Sequence, residues 1–129
     1  MAIDLRLRRI YEGPGADDGY RVLVDRLWPR GVKKAEAAIG DWARDVAPST
    51  DLRRWYGHQP DRFDEFARRY RAELAAGPAA GVVDALVGRL QKGPVTLLTA
   101  TRDVERSGAA VLAEHLAAMV GQAGRSRRR

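Results

Sequence analysis

The sequence predicts a single small α/β domain in which helices cover a mostly parallel β-sheet, as in a Rossmann-like fold of three or two layers. Residues 22–24 are all apolar, and Val95, Leu97 and Leu98 form a second apolar segment, which is typical of strands buried on both faces of a parallel sheet. Segments with apolar residues at helical spacing lie between these strands and after the second one. The length of 129 residues suits one domain with one hydrophobic core.

The first part of the chain is predicted to supply two strands. Residues 3–7 alternate apolar and charged side chains, which indicates a strand with one wet face at a sheet edge. A Gly- and Pro-rich loop at 13–19 precedes the first buried strand, predicted over 20–27. Pro29 ends this strand because proline lacks an N–H for the ladder. The following segment, 32–40, is interpreted as a short helix or a loop.

Two helices are predicted in the middle of the chain. Ser49 or Thr50 can cap a short helix that ends at Gly57. A longer helix is expected to begin near Pro60, because proline is tolerated in the first turn. Its apolar face has helical spacing from Phe63 to Leu74, and the sequence predicts i,i+4 ion pairs on its other face. These predicted pairs are Asp64–Arg68 and Glu65–Arg69.

The last part of the chain is predicted to contain a helix, the second buried strand and a terminal helix. Apolar spacing indicates the first of these helices over 82–90, and Gly93 with Pro94 closes it. After the strand, Asp103 is predicted to cap the terminal helix. The domain is therefore expected to span 1–121.

A basic, disordered tail is predicted at 122–129. Arg125, Arg127, Arg128 and Arg129 lie in the last five residues, and without these four arginines the formal charge of +6 falls to +2. Such a tail attracts polyanions without specificity, so weak, salt-sensitive nucleic-acid contact through 125–129 is one expectation. The alternative is a tail that only keeps the chain soluble.

Composition excludes several classes of protein. The chain has no cysteine, which excludes disulfides, thiolate nucleophiles and Cys-ligated metals. Its two histidines, His58 and His115, have no metal-ligand spacing, so neither a metal nor a cofactor is expected. No apolar run approaches the ~20 residues of a membrane helix, and the N-terminus does not resemble a signal peptide. A cytosolic protein without a membrane partner is therefore predicted.

Polar side chains follow both buried strands at their carboxyl ends. The first strand ends in a cluster of Asp25, Arg26, Trp28 and Arg30, and the second ends in Thr99, Thr101, Arg102 and Asp103. If the strands are parallel neighbours, these two clusters face each other across one crevice, where α/β proteins bind ligands. No phosphate-binding loop, dinucleotide Gly fingerprint or nucleophilic Ser elbow is present.

An anionic small molecule is the partner that this crevice is predicted to bind. Arginines match phosphate, sulfate or carboxylate oxygens in a bidentate way, and a helix N-terminus adds anion-favouring donors. The predicted anion ligands are Arg26, Arg30 and Arg102; Asp25 and His58 would handle protons, and Trp28 and Trp55 would form walls. The alternative is structural: an ion pair of Asp25 closes the sheet edge, and the tryptophans belong to the core. A homodimer through Trp42 or Tyr56 is a further option.

Several motifs resemble the YeaO-like family of small bacterial proteins, a domain-of-unknown-function family (DUF488). They are GYRVLVDRLWPRG at 19–31, WARDVAPS at 42–49, LRRWYGH at 52–58, FARRYRAEL at 66–74 and VTLLTATRD at 95–103. The resemblance runs from about Ile3 to Leu116. It implies one compact α/β domain in a bacterial cytosol and brings no settled activity. Where such relatives have an acidic residue, His and Asn after the second strand, this chain has Glu105, Arg106 and Ser107.

Overall fold

The computed structural model describes residues 3–127, and describes side chains only up to residue 121. Its strands are β1 (Leu5–Arg9), β2 (Tyr20–Leu23), β3 (Asp41–Trp42) and β4 (Val95–Thr99). Its α-helices are α1 (Lys34–Ala37), α2 (Thr50–Tyr56), α3 (Phe63–Leu74), α4 (Gly77–Lys92) and α5 (Gly108–Arg127). Short 3₁₀ turns connect several of these elements.

The four described strands form one parallel sheet in the order β1-β4-β2-β3. The prediction that the two buried strands are parallel neighbours is confirmed, because β2 pairs with β4 in the register Val22↔Leu97 and Leu23↔Leu98. β1 is an edge strand, as its alternating pattern indicated. The carboxyl ends of β2 and β4 therefore meet at the same edge of the sheet.

The two sheet faces are covered unequally. Side chains alternate along a strand, so Val22 and Leu23 point to opposite faces. Val22 and Leu97 belong to the larger core, which α2 to α5 cover, and Leu23 and Leu98 belong to a smaller one. The segment after β2, including α1, covers that smaller core. The predicted α/β class is thus confirmed, with most of the helical mass on one face.

The structure differs from the predicted strands in two places. β2 ends at Leu23, although the N–H of Val24 still donates to the carbonyl of Leu98 (3.1 Å), so the predicted strand was too long. The polar cluster consequently lies on a loop. The edge strand β3 was missed because only two residues form it, and the N–H of Ala43 then donates to the Leu23 carbonyl (2.8 Å).

The helix ends confirm some predicted signals and correct others. Ser49 caps α2 by accepting from the N–H of Leu52, and Gly57 ends α2 in the left-handed conformation. Asp103 was predicted to cap α5, but its side chain caps nothing; a 3₁₀ turn follows it. The hydroxyl of Ser107 instead accepts from the N–H of Ala110 (3.1 Å).

The ion pairs on α3 are shared differently from the prediction. Glu65 binds both Arg68 and Arg69 at 2.6 Å, so the predicted pair with Arg69 forms. The pair predicted between Asp64 and Arg68 does not, because the guanidinium of Arg68 lies on Glu65, which is three residues away.

The terminal helix α5 reaches Arg127, so its backbone includes most of the segment 122–129 that the sequence assigned to a tail. The helix formers Ala118, Met119 and Gln122 carry it past the predicted domain boundary at 121. The side chains from 122 onward and residues 128 and 129 lie outside the described residues. No helix in the described part of the chain is long and apolar enough to cross a membrane.

Candidate functional site

Two adjoining cavities lie at the carboxyl ends of β2 and β4. The first has a volume of about 370 Å³, and the second, more open one has a volume of about 470 Å³. They share four lining residues: Asp25, His58, Ala100 and Thr101. We call the two cavities together the crevice, the first the arginine cavity and the second the outer cavity. Asp25 and Arg102, from different strand ends, line the outer cavity together.

Asp25 holds the two strand ends together. Its Oδ1 accepts from the hydroxyl of Thr99, and its Oδ2 accepts from the N–H of Ala100, both at 2.8 Å. These bonds connect the loop after β2 to β4 beyond the point where the backbone hydrogen bonds between the two strands end. Burial raises the pKa of the Asp25 carboxyl, and the bonds from Ala100 and Thr99 oppose that rise. Thr99 is itself buried, so it supports Asp25 from behind the crevice.

Arginines dominate the charge of the arginine cavity. Arg26, Arg30 and Arg53 line it, and Asp25 is the only acidic residue among its lining residues. Arg26 is half-buried, and its Nε and Nη2 donate to the carbonyls of Ala47 and Pro48 at 3.2–3.3 Å. Its Nη1 has no hydrogen-bond partner among the described residues and remains available to a ligand. Arg30 and Arg53 are exposed at the mouth.

The first turn of α5 closes the cavity on another side. Ser107, Gly108 and Ala109 all line it. The first N–H groups of a helix have no intrahelical acceptor, and the Ser107 hydroxyl takes the one at Ala110. The N–H groups of Gly108 and Ala109 therefore add positive partial charge beside the three arginines. The sequence predicted a helix N-terminus at the crevice, but it placed the cap at Asp103 instead of Ser107.

The remaining predicted residues are not all in the crevice. Trp28 and Thr101 line the arginine cavity, and Arg102 and Asp103 line the outer one. His58 lines both, is exposed, and has a left-handed backbone with φ 56°.

Trp55, predicted as a wall, lies outside both cavities. It is packed against the guanidinium groups of Arg62 (5.3 Å) and Arg69 (4.3 Å), because the phase of α2 turns it toward α3.

Sequence reasoning missed Arg53 as a lining residue. Two arginines, Arg53 and Arg54, are adjacent in the sequence, and only the phase of α2 decides that the first lines the cavity. It also left Tyr56 open as a dimer contact. Tyr56 is buried at 6 % exposure, and its hydroxyl donates to the carbonyl of Arg106 (2.7 Å), so it belongs to this chain's own core.

Metal binding has no support in the described residues, where no three His, Cys, Asp or Glu side chains gather closely enough to hold an ion. The chemistry that the crevice offers is that of fixed cations, helix N–H groups and the carboxylate of Asp25, whose burial favours its protonated form.

Comparisons with known proteins agree on the family. The profile of DUF488-N3i, described as the inactive DUF488-N3 subclade, matches residues 4–128. The uncharacterized protein Rv3073c of Mycobacterium tuberculosis is 54% identical over 112 residues, which cover 87% of this chain and 92% of that protein. The uncharacterized protein YeaO of Escherichia coli K12 is 37% identical over 114 residues, 88% of this chain and 97% of that protein. No solved structure gives a significant match. The chain therefore belongs to the DUF488 family, as a YeaO-like protein of its DUF488-N3i subclade.

Proposed function

We propose that this protein binds a small anionic molecule in the crevice, with the charged group of the ligand in the arginine cavity. The observation that carries the proposal is the imbalance of charge there: Arg26, Arg30 and Arg53 line a cavity with one carboxylate, Asp25. The first turn of α5 supports the same polarity. Hydrogen bonds from guanidinium groups to anionic oxygens are roughly twice as strong as neutral ones.

The ligand is held rather than converted in this proposal. The family's description as an inactive subclade supports a binding role. A general acid–base function of Asp25 and His58 is the second candidate. It is favoured by the raised pKa of Asp25 and by the position of both side chains where the two cavities join. The bacterial cytoplasm is the setting that we propose for either role.

A matched pair of variants tests the binding proposal. Arg53→Ala removes a cation that lines the arginine cavity, and Arg54→Ala removes its exposed neighbour on the same helix. Titration of each variant with phosphate or sulfate by calorimetry should show affinity lowered about tenfold for Arg53→Ala, since one charge-assisted hydrogen bond contributes about 1.5 kcal/mol. Affinity should be nearly unchanged for Arg54→Ala. Equal affinity for both variants and the wild type would remove the proposal.

A nucleic-acid-binding or regulatory role through the basic surface is the alternative. The Arg-rich tail supports this alternative. The Arg-rich segment 50–74 does not, because it contains six arginines but also five acidic residues and has little net charge. If the tail carries this role, deleting residues 125–129 should abolish duplex binding, and affinity before deletion should fall steeply with salt. Duplex binding that survives the deletion and competes with phosphate would instead place nucleic acid in the crevice.

A further inference from the structure

The arginine cavity has an apolar rim as well as a cationic interior. In the part of the chain that the structure describes, two large apolar side chains are strongly exposed: Tyr11 at 47 % and Leu27 at 61 %. Both line this one cavity, and the half-buried Trp28 lines it beside them. Single exposed apolar residues need no explanation, but two that meet at the mouth of one cavity indicate a surface that a ligand covers.

The polar atoms of the two aromatic rim residues are already bound within the protein. The hydroxyl of Tyr11 donates to the carbonyl of Arg30 (3.0 Å), and Nε1 of Trp28 donates to the carbonyl of Val32 (2.7 Å). Leu27 has no polar side-chain atom. The rim therefore offers carbon surface to a ligand, while the hydrogen-bonding groups lie with Arg26 and the first turn of α5.

The size of the arginine cavity also indicates an organic ligand. A volume of about 370 Å³ falls in the range of ~300–1,000 Å³ that is usual for organic ligands, and an inorganic anion fills only a small part of it. We infer that the ligand is an aromatic anion, whose phosphate or carboxylate lies among the arginines and whose ring covers Tyr11, Leu27 and Trp28. This inference rests on the proposed function and adds the class of ligand.

Inorganic phosphate and phenyl phosphate are the two probes that test it, because they differ by the ring. Calorimetric titration of the full chain should give phenyl phosphate an affinity about tenfold higher, since the ring buries apolar surface against the rim. In Leu27→Ser that ratio should fall toward one. In Arg53→Ala both affinities should fall while the ratio persists. Leu27 is exposed, so its substitution leaves the core intact, which circular dichroism verifies.

The outcomes separate this inference from the proposed function. Equal affinity of the wild type for the two probes overturns the aromatic ligand and leaves anion binding standing, and no binding of either probe overturns both. A higher affinity for phenyl phosphate that persists unchanged in Leu27→Ser also overturns the inference, because the ring then lies elsewhere. Concentration-dependent self-association in light scattering that Leu27→Ser abolishes assigns the rim to a second copy of the chain, and that result contradicts the inference too.

Discussion

Asp25 is the residue on which the crevice depends, because it joins the loop after β2 to the end of β4. Two donors hold its carboxylate, yet burial is the largest influence on its pKa and raises it. An ionised carboxylate beside Arg26 and Arg30 lowers the attraction of the cavity for anions. Protonation of Asp25 removes this repulsion, so the affinity of the cavity for anions depends on the charge state of the Asp25 carboxyl.

Anion affinity should therefore depend on pH. The raised pKa of Asp25 means that its carboxyl gains a proton earlier than a free aspartate does as pH falls. Sulfate keeps its charge while a carboxyl group titrates, so its affinity should increase as the pH is lowered through the range in which Asp25 gains its proton. Calorimetry at several pH values measures the trend. In Asp25→Asn the part of the trend that belongs to this carboxyl should disappear.

His58 requires its own control, because its imidazole lines both cavities together with Asp25. The other charged groups around the two cavities are Arg26, Arg30, Arg53, Arg102 and Asp103. Among these groups, Asp103 is exposed in the outer cavity. His58→Gln should keep the part of the trend that is due to Asp25. If the sulfate affinity of Asp25→Asn depends on pH as strongly as that of His58→Gln, Asp25 is not the source of the trend.

The start of α5 is the element that completes the cavity. Ser107 accepts from the N–H of Ala110, and its hydroxyl donates to the carbonyl of Val104 (2.6 Å). This residue fixes both the helix end and the turn that leads into it. Asp103, which the sequence favoured as the cap, instead pairs with Arg106 on the surface (3.2 Å).

Two alanine substitutions distinguish these roles. Ser107→Ala should lower the free energy of unfolding by about 1–2 kcal/mol, because a cap and a buried hydrogen bond are lost. Asp103→Ala should lower it by no more than about 0.5 kcal/mol, since exposed ion pairs contribute little. Urea denaturation at neutral pH measures both values. A larger loss for Asp103→Ala than for Ser107→Ala would mean that the cap is assigned to the wrong residue.

The sequence predicted elements better than the contacts between them. Three of the strands, β1, β2 and β4, and the helices α3 to α5 follow from runs and spacings of apolar residues, which are local signals. Asp25 was found because it lies near the carboxyl end of a buried strand. The position of Trp55, the choice of Arg53 over Arg54 and the cap at Ser107 depend on helix phase and on turns, which composition does not determine.

At the scale of the whole molecule, a buried ion-pair cluster ties the loop before β2 to three strands. Asp18 is 2 % exposed and binds Arg21 and Arg8, and its carbonyl accepts from Thr96 of β4 (2.8 Å). The N–H of Gly15 donates to the same carboxylate (2.8 Å) and is the largest influence that lowers the Asp18 pKa to about 2. This cluster was not predicted from the sequence, because Asp18 lies in a segment with the composition of a solvated loop.

This cluster predicts how stability changes in acid. The folded-state pKa of Asp18 lies below its ordinary value of 3.8, so its contribution is present above about pH 4 and is lost as pH falls toward 2. Asp18→Asn should cost on the order of 3 kcal/mol at neutral pH, because Arg21 is left buried without its partner. Its unfolding free energy should then decrease less steeply than that of the wild type between about pH 4 and 2. Equal pH slopes would show that another group controls acid unfolding.

The central claim is that the ends of β2 and β4 and the first turn of α5 form one anion-binding crevice. Two-dimensional amide NMR of the labelled full chain, titrated with phosphate, tests it most directly. The account predicts that the largest chemical-shift changes lie at residues 25–30 and 100–109, with Gly108 and Ala109 prominent. Shifts confined to other surfaces, such as the basic residues beyond 121, would contradict it.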